Sequence, residues 1–317
     1  AAGHVPPPPG LESFAPAHLT VGPMAKSVQD LCELWCGIQG EKQLHFQGAV
    51  QLAVCTHGIP DLPVDARIQR VMQEAFDRVL ESQPSFFRSA PSQAGRDLLD
   101  RMDFPALQAA YVQLTTPFAL AVSNPSKATS SGPSSSPGTA QQKASKSVEQ
   151  AVNALEDFFS AAPQECFPVL VLPVASVLPF PHDKGQKRSP IRLLVQRWNQ
   201  QQGVDVEEED HMPYWKALIG YTSPLSILPF PIVTVPVGTT QEGLPVGVQI
   251  VGPRGSDTQL LWACSRLQQH LGQIDAPCLD VLRQKLQDNV QSLQDLGWVA
   301  PPSFCVDPPP FSWSAKL

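Results

Sequence analysis

FPIVTVPVG, at residues 230–238, and GLPVGVQIVGP, at residues 243–253, are two apolar runs separated by a short polar loop. β-Branched residues are frequent in both runs, and glycine stands at each end of the loop, which is typical of two strands joined by a hairpin connection. A third run, VLVLPV at residues 169–174, is apolar at every position. Strands buried on both faces have this composition. The three runs predict a largely apolar sheet.

Amphipathic helices accompany these strands. The clearest one is predicted over residues 65–81, where apolar side chains recur at intervals of three and four and Asp65 is placed to cap the helix. It follows a short predicted strand at residues 50–55, and a strand followed by such a helix is the unit of an α/β layer. The chain is therefore predicted to be an α/β protein. Other helices are predicted over residues 24–38 and 148–159, and after Asp257 as the capping residue.

Composition excludes several classes of protein. Asp plus Glu is 29 and Lys plus Arg is 22, and no basic run is present, which argues against a nucleic-acid-binding surface. The 34 prolines exclude a long helical bundle, because an interior proline removes a helical hydrogen bond. Two uncharged runs, residues 166–182 and 217–241, are long enough for a membrane test. Both contain four prolines, so we interpret them as buried strands with flanking loops.

Two polar segments divide the chain. Residues 123–147 contain almost no large apolar side chain, so they cannot bury enough surface to offset the entropy of ordering. We predict a disordered Ser/Pro-rich insertion there, between segments 1–122 and 148–317. The acidic segment at residues 203–212 is predicted to be an exposed loop.

The cysteines and histidines give no metal signature. Cys32 and Cys36 lie four residues apart on a predicted helix, but no second ligand pair follows at metal-binding spacing. We therefore interpret the seven cysteines as reduced, mostly buried thiols, and we predict neither a metal nor a cofactor. The chain starts with Ala1 and has no signal-peptide pattern, so we expect a fragment of a cytoplasmic protein.

Several motifs, taken in order, resemble the amidase signature family of serine hydrolases. The strongest pair is LTVGPMAKSVQDL at residues 19–31 and GLPVGVQIVGP at residues 243–253. GHVPPPPG at residues 3–10, FPHD at 180–183, PYW at 213–215 and LGWVAPP at 296–302 agree with the same family. The resemblance implies a large mixed β-sheet flanked by helices. It also implies carboxamide hydrolysis through an acyl-enzyme, with a serine nucleophile, a second serine in a cis peptide bond and a lysine base.

No catalytic residue can be carried over from that resemblance. In the family, the lysine, the nucleophile and the Gly/Ser-rich signature all precede the segment that GHVPPPPG resembles. Lys26 belongs to the GPMAKS motif and is not the catalytic lysine, and the serines of residues 130–136 lie in the predicted insertion. A nucleophile also needs a rigid scaffold, which such an insertion does not supply. We therefore expect the N-terminal, catalytic part of the fold to be missing from this chain.

Four residues are candidates for the rim or wall of a substrate pocket. His182 and Asp183 follow the VLVLPV strand and are interpreted as a turn at the pocket rim, although a His–carboxylate pair could also act as a base. Tyr214 and Trp215 are candidates for the acyl pocket, since pockets favour aromatic residues, with ordinary core packing as the alternative.

Two functions are compatible with these motifs. The first is an amidase acting on a small-molecule amide, present here as a C-terminal part that is inactive alone. The second is a non-catalytic interaction protein that keeps half of the fold. Unpaired strand edges and apolar faces would then require a partner or self-association. Neither nucleic acid nor a membrane is an expected partner.

Overall fold

A computed structural model of the chain describes residues 22–40, 48–59, 61–91, 93–123, 139–180, 190–199 and 204–271. The chain divides into two compact units, Ala1–Gln273 and Ile274–Leu317, and every described residue belongs to the first.

The centre of the first unit is a five-stranded sheet. Its strands are β1 (Ala49–Val54), β4 (Phe87–Ser89), β5 (Cys166–Pro173), β8 (Ile232–Thr239) and β9 (Pro245–Val251), in the spatial order β4-β1-β5-β9-β8. β4, β1 and β5 run parallel, whereas β9 is antiparallel to both β5 and β8. The sheet is therefore mixed, as the resemblance implied. Two antiparallel pairs lie outside it, formed by β2 (Gly58–Ile59) with β3 (Leu62–Pro63), and by β6 (Ile191–Asn199) with β7 (Val204–Met212).

Helices flank the sheet in two groups. α1 (Val28–Gln39), α2 (Ala66–Ser82) and α8 (Asp257–Leu271) pack together, and α2 and α8 also contact β8. α3 (Ala94–Met102), α4 (Phe104–Ser123) and α5 (Thr139–Ser160) form the second group. The short helices α6 (Tyr214–Ile219) and α7 (Thr222–Ser226) connect β7 to β8. The α/β prediction is confirmed.

The predicted helix at residues 65–81 forms as α2, with Asp65 as its N-cap. The Asp65 carboxylate accepts a hydrogen bond from the backbone N–H of Arg67 at 3.0 Å, which satisfies one of the free donors of the first turn. The apolar stripe faces the core, where Met72, Ala75 and Val79 are completely buried. Burying each of the larger side chains contributes about 1.5–3 kcal/mol, so tertiary packing holds this helix in place.

β5 is the most deeply buried strand. All eight of its residues are buried, and Val169, Leu170, Val171 and Leu172 have no exposed surface. The apolar run therefore forms a central strand, as predicted. The two uncharged runs form strands, short helices and loops, and no helix within the described ranges is long and apolar enough to cross a membrane.

Two predicted helix starts are corrected. The first helix begins at Val28, not Met24, because the Ser27 hydroxyl caps it by accepting a hydrogen bond from the Asp30 N–H. Met24 precedes the cap and is 93% exposed, so it does not belong to the apolar face. Asp257, predicted as a cap, is already within α8.

The predicted disordered insertion is wrong for residues 139–147. These residues are the first two turns of α5, which begins at Thr139 and not at Val148. Alanine, glutamine and lysine are good helix formers, and Ala144 is buried where α5 packs against its neighbours. Few large apolar residues are needed where helices approach closely. Residues 124–138 of the predicted insertion lie outside the described residues.

The acidic segment at residues 203–212 was predicted as a loop, but its described part, Val204–Met212, is strand β7. It pairs with β6 over nine residues, from Ile191 opposite Met212 to Asn199 opposite Val204. Arginines of β6 compensate the acidic side chains, with Arg197 2.8 Å from Asp210 and Arg192 3.2 Å from Glu209. Cross-strand charge pairing therefore allows a charged run to form a strand.

Candidate active site

The carboxyl ends of β1 and β5 define the candidate active site. Ligands of α/β sheets bind outside the carboxyl ends of parallel strands, where the following loops diverge. β1 is followed by Cys55, Thr56 and His57, and β5 is followed by a loop that contains Ser176. The β8–β9 loop reaches the same edge, because β9 is antiparallel to β5. Three loops therefore meet at one edge of the sheet.

Ser176 is the most constrained polar residue at this edge. Its backbone N–H donates to the Ala217 carbonyl at 3.0 Å, and its carbonyl accepts from the Asp65 N–H at 2.8 Å. The side chain is completely buried, and its Oγ has no hydrogen-bond partner among the described residues. An unsatisfied buried hydroxyl costs about 1–3 kcal/mol. The loop after β5 is thus fixed between α2 and α6.

An aromatic cluster lies beside this loop and consists of Phe180, Tyr214 and Trp215. The ring centroids of Phe180 and Tyr214 are 6.0 Å apart, and those of Tyr214 and Trp215 are 5.3 Å apart, both in edge-to-face geometry. Such pairs are favourable because a positive ring edge meets a negative ring face. The structure thus brings together two of the four predicted pocket residues, Tyr214 and Trp215.

The aromatic cluster is open to solvent. Trp215 is 65% exposed and Phe180 is 36% exposed, so the described residues do not enclose these rings. α6, which carries Tyr214 and Trp215, is anchored by the fully buried Ala217, whose N–H donates to the Pro213 carbonyl at 2.9 Å. His182 and Asp183 lie outside the described residues. The cluster therefore presents apolar surface to solvent without forming a closed pocket.

The buried carboxylate of Asp65 connects several elements at this edge of the sheet. Asp65 is completely buried and accepts hydrogen bonds from the Arg67 N–H, from Arg67 Nε and Nη2, and from the backbone N–H of Leu194 in β6. Bonding to Asp65 raises the pKa of Arg67 above its usual value. Because its lone pairs are already engaged, Asp65 holds α2, β6 and Arg67 together and is not available as a general base.

The β8–β9 loop contributes a second carboxylate. Glu242 accepts hydrogen bonds from the Thr240 side chain and from its own backbone N–H, and these bonds lower the pKa of its carboxyl. Arg67 Nη1 lies 3.7 Å from Glu242 Oε1. Arg67 therefore bridges the start of α2 and the β8–β9 loop.

Two further groups at this edge are held in their neutral forms. Burial raises the pKa of the Cys55 thiol to about 12, so the thiolate needed for nucleophilic attack is scarce at neutral pH. Burial also raises the pKa of Tyr221, whose hydroxyl donates to the Leu62 carbonyl at 2.6 Å. Gly58, at φ 71°, passes so close that a Cβ there would lie 2.8 Å from this hydroxyl. Both groups therefore have a structural role.

Thr56 and His57 form a hydroxyl–imidazole pair. Thr56 Oγ1 lies 2.9 Å from His57 Nδ1, and Thr56 is buried whereas His57 is exposed. Neither these two residues nor Ser176 and Phe180 were predicted individually as site residues from the sequence. A signal was present, because Thr56, His57 and Ser176 each lie two or three residues beyond the end of an apolar strand. Within the described ranges, no three potential ligands come together as a metal site.

Comparison with known proteins identifies relatives of this chain. Residues 76–261 match the family model described as Amidase. A glutamyl-tRNA(Gln) amidotransferase subunit of Chlamydia trachomatis serovar L2 is 42% identical over 50 residues, which are 16% of this chain and 10% of that protein. The corresponding subunit of Haloarcula marismortui is 44% identical over 46 residues, or 14% of this chain and 11% of that protein.

Solved structures give more extended matches at lower identity. A crystal structure of an amidase aligns with a TM-score of 0.48 and 21% identity, covering 79% of this chain and 52% of that one. The structure of 6-aminohexanoate cyclic dimer hydrolase aligns with a TM-score of 0.49 and 17% identity, covering 78% of this chain and 54% of that one. The chain therefore spans about half the length of the solved structures that it matches.

Proposed function

Because the chain belongs to the amidase family, we propose that it forms part of an enzyme that hydrolyses carboxamide C–N bonds. In this reaction a nucleophile adds to the amide carbonyl, the amine leaves with a proton, and water hydrolyses the resulting acyl-enzyme to a carboxylic acid. The family resemblance assigns the attack to a serine activated by a lysine through a second serine. No residue of this chain matches those three positions. We therefore propose that the nucleophile and the base come from outside these 317 residues.

The contribution of this chain is the wall that receives the acyl group. The aromatic cluster of Phe180, Tyr214 and Trp215 at the carboxyl edge of the sheet supports this role best. Its exposed rings would pack against the apolar part of a substrate once a further part of the enzyme covers them. The loop that leads to Phe180 is fixed through Ser176, so the position of the wall is set by the sheet and by α2.

The experiment compares two proteins with one chromogenic substrate. The 317-residue chain and the longest in-frame product of its transcript are each incubated with 4-nitroacetanilide and, separately, with a fluorophosphonate that labels activated serines. We expect the longer product to release 4-nitroaniline and to be labelled, and the 317-residue chain to do neither. Labelling or turnover by the 317-residue chain would contradict the proposal, because it would place the nucleophile within this chain.

A second candidate is the non-catalytic interaction protein. The exposed Leu34 and Ile38, which are neighbours on α1, favour it, since isolated soluble domains rarely leave contiguous apolar surface open. Under this alternative, the longest transcript product adds no Ser–Ser–Lys constellation and neither protein reacts with the fluorophosphonate. The same two assays therefore separate the two candidates.

A further inference from the structure

The outward face of α1 is the most unusual surface of the described chain. The inward face, with Val28, Cys32 and Trp35, is buried against α8. Beyond one edge of this buried stripe, Leu34 and Ile38 are each 47% exposed. A surface helix normally places polar residues on its solvent side. The apolar surface of α1 thus extends beyond its buried stripe into solvent.

The exposed face borders a shallow and open groove, and the described part of its lining comes from α1 alone. A depression of about 650 Å³ is lined by Asp30, Glu33, Leu34, Gly37 and Ile38. At 100° per residue, Gly37 and Asp30 lie along the middle of this face, Glu33 lies on one flank, and Leu34 and Ile38 lie on the other. The spacing of i, i+3, i+4, i+7 and i+8 is that of a ridge onto which a second helix packs.

Within the described part of the chain, no packing contact explains the glycine at position 37. It lies inside a regular helical turn, and a Cβ at this position would meet no atom within 4 Å. Glycine in an exposed helix interior costs about 1 kcal/mol relative to alanine. A glycine at the centre of a contact face allows the backbone of another helix to approach closely. No contact among the described residues accounts for Gly37, so the backbone of α1 is open to a partner at this position.

The negative charge of this face of α1 indicates which kind of partner would complement it. Asp30 accepts a hydrogen bond from Ser27 Oγ at 2.8 Å, and Glu33 accepts one from Gln29 Nε2 at 3.4 Å. Neither forms an ion pair with another residue in the described ranges, and the α1 sequence contains no Lys or Arg. A second copy of α1 would bring the same two carboxylates to the contact. A helix with Lys or Arg beside its apolar stripe would complement them.

We propose that this face of α1 is a docking site for an amphipathic α-helix of another protein, whose apolar stripe is flanked by basic residues. Leu34 and Ile38 receive the apolar side chains, Gly37 permits close approach, and Glu33 pairs with a cation. This surface is separate from the aromatic cluster, and its role does not depend on amide hydrolysis.

The experiment uses the full 317-residue chain and a synthetic helical peptide composed of leucine and lysine as the probe. Binding is followed by the fluorescence anisotropy of a dye on the peptide. Leu34→Glu is the decisive variant, because it adds negative charge to an acidic protein. Simple attraction of a cationic peptide would tighten binding to this variant, whereas docking in the groove predicts at least tenfold weaker binding. Val112→Glu, at a 59% exposed position of α4, is the matched control and is expected to change the affinity less than twofold.

Gly37→Ala gives a second test that does not depend on a destabilising change. Alanine is the better helix former, so the melting temperature should rise by about 2 °C. Its methyl group should nevertheless weaken peptide binding severalfold, because it separates the two backbones. Glu33→Gln should also weaken binding and reduce its dependence on salt.

Three results would overturn the proposal. The first is unchanged or tighter binding to the Leu34→Glu variant. The second is equal binding of a control peptide in which serine replaces leucine, since the apolar groove would then not contribute. The third is a dimer in sedimentation velocity that Leu34→Glu abolishes, which would assign the face to a second copy of this chain.

Discussion

The carbonyl of Ser176 accepts a hydrogen bond from the backbone N–H of Asp65 at 2.8 Å, so the residue that caps α2 also fixes the loop after β5. The Asp65 side chain meanwhile binds Arg67 and the backbone of β6. A single residue thus connects α2, the loop after the central strand β5 and the β6–β7 pair. The position of the aromatic cluster depends on this connection, because Phe180 lies four residues beyond Ser176.

Asp65→Ala should therefore destabilise the protein strongly. It leaves the Leu194 N–H without its acceptor and Arg67 without its partner, which we expect to cost about 3 kcal/mol. Asp65→Asn keeps a capping oxygen and should cost about half as much. Urea unfolding followed by circular dichroism measures both. Asp205→Asn, on the exposed side of β7, is the control and should have little effect; equal losses at the two positions would contradict the structural role of Asp65.

Gly95→Ala should destabilise through a single contact. A Cβ at Gly95 would lie 2.5 Å from Cys55 Sγ, and such overpacking costs about 1–3 kcal/mol. In a Cys55→Ala background the clash disappears, and alanine in α3 should then be neutral or stabilising by up to about 1 kcal/mol. A double-mutant cycle measured by urea unfolding reports the change of sign. Additive effects would show that Gly95 is constrained by something other than Cys55.

Tyr221→Phe removes the hydroxyl that donates to the Leu62 carbonyl while keeping the ring that contacts Phe104. Because the carbonyl stays buried without its donor, we expect a loss of about 1–2 kcal/mol in the free energy of unfolding. Tyr214→Phe, in the solvent-accessible aromatic cluster, is the matched control and should change it by less than about 0.5 kcal/mol. A loss of similar size in the control would indicate that the Tyr221 hydrogen bond is not the cause.

The β6–β7 pair should lose stability in acid. The His211 N–H, followed by Arg197, lowers the pKa of the Asp210 carboxyl below its usual value. A carboxyl with a lowered pKa in the folded state contributes stability above its unfolded pKa. That stability is lost as the pH falls through the folded value. Hydrogen exchange of the β6 amides should therefore be slower in the wild type than in Asp210→Asn at pH 7, and the two should converge below pH 3.

If the exchange rates of the wild type and Asp210→Asn differed by the same factor at every pH, asparagine would be disturbing the β6–β7 pair sterically. Arg192→Gln is a useful comparison because Arg192 pairs with Glu209 and does not contact Asp210. Its effect should add to that of Asp210→Asn.

Trp215→Ala should affect substrate binding while leaving the free energy of unfolding nearly unchanged. Trp215 is 65% exposed, so its removal should change the free energy of unfolding by less than about 0.5 kcal/mol. In the larger amidase that we propose, the same change should raise KM about tenfold for anilides with a bulky acyl group, and leave acetyl substrates nearly unaffected. Steady-state kinetics on the two substrates provides the test. An equal rise for both would place Trp215 away from the acyl group.

Local sequence patterns correctly predicted the helices and strands that are specified by their own residues. The Asp65 cap and the apolar periodicity after it specify α2, and the apolar run of residues 169–174 specifies β5. Where stability comes from a distant partner, the sequence was misleading. The acidic residues of β7 form a strand because Arg192 and Arg197 of β6 form ion pairs with them, and α5 starts early because Ala144 fits against neighbouring helices.

The candidate site was less predictable than the fold. Tyr214 and Trp215 are adjacent in sequence, so their proximity follows from any conformation. Phe180 joins them only because Ser176 and Ala217 connect the loop after β5 to α6 through their backbones. No side-chain pattern encodes that connection. Backbone hydrogen bonds between distant loops are set by the whole sheet, and one sequence by itself does not contain them.

Both ends of the central sheet limit the addition of a further strand. At one end, β8 contains Pro236, which has no N–H to donate, and its pairing with β9 is irregular between Pro236 and Gly238. At the other end, β4 is a short strand, Phe87–Ser89, and the Phe87 N–H already donates to the Gln83 carbonyl at 2.8 Å. Neither end therefore offers an unbroken row of donors. A larger enzyme assembled on this chain would thus gain little from edge-to-edge strand pairing with this sheet.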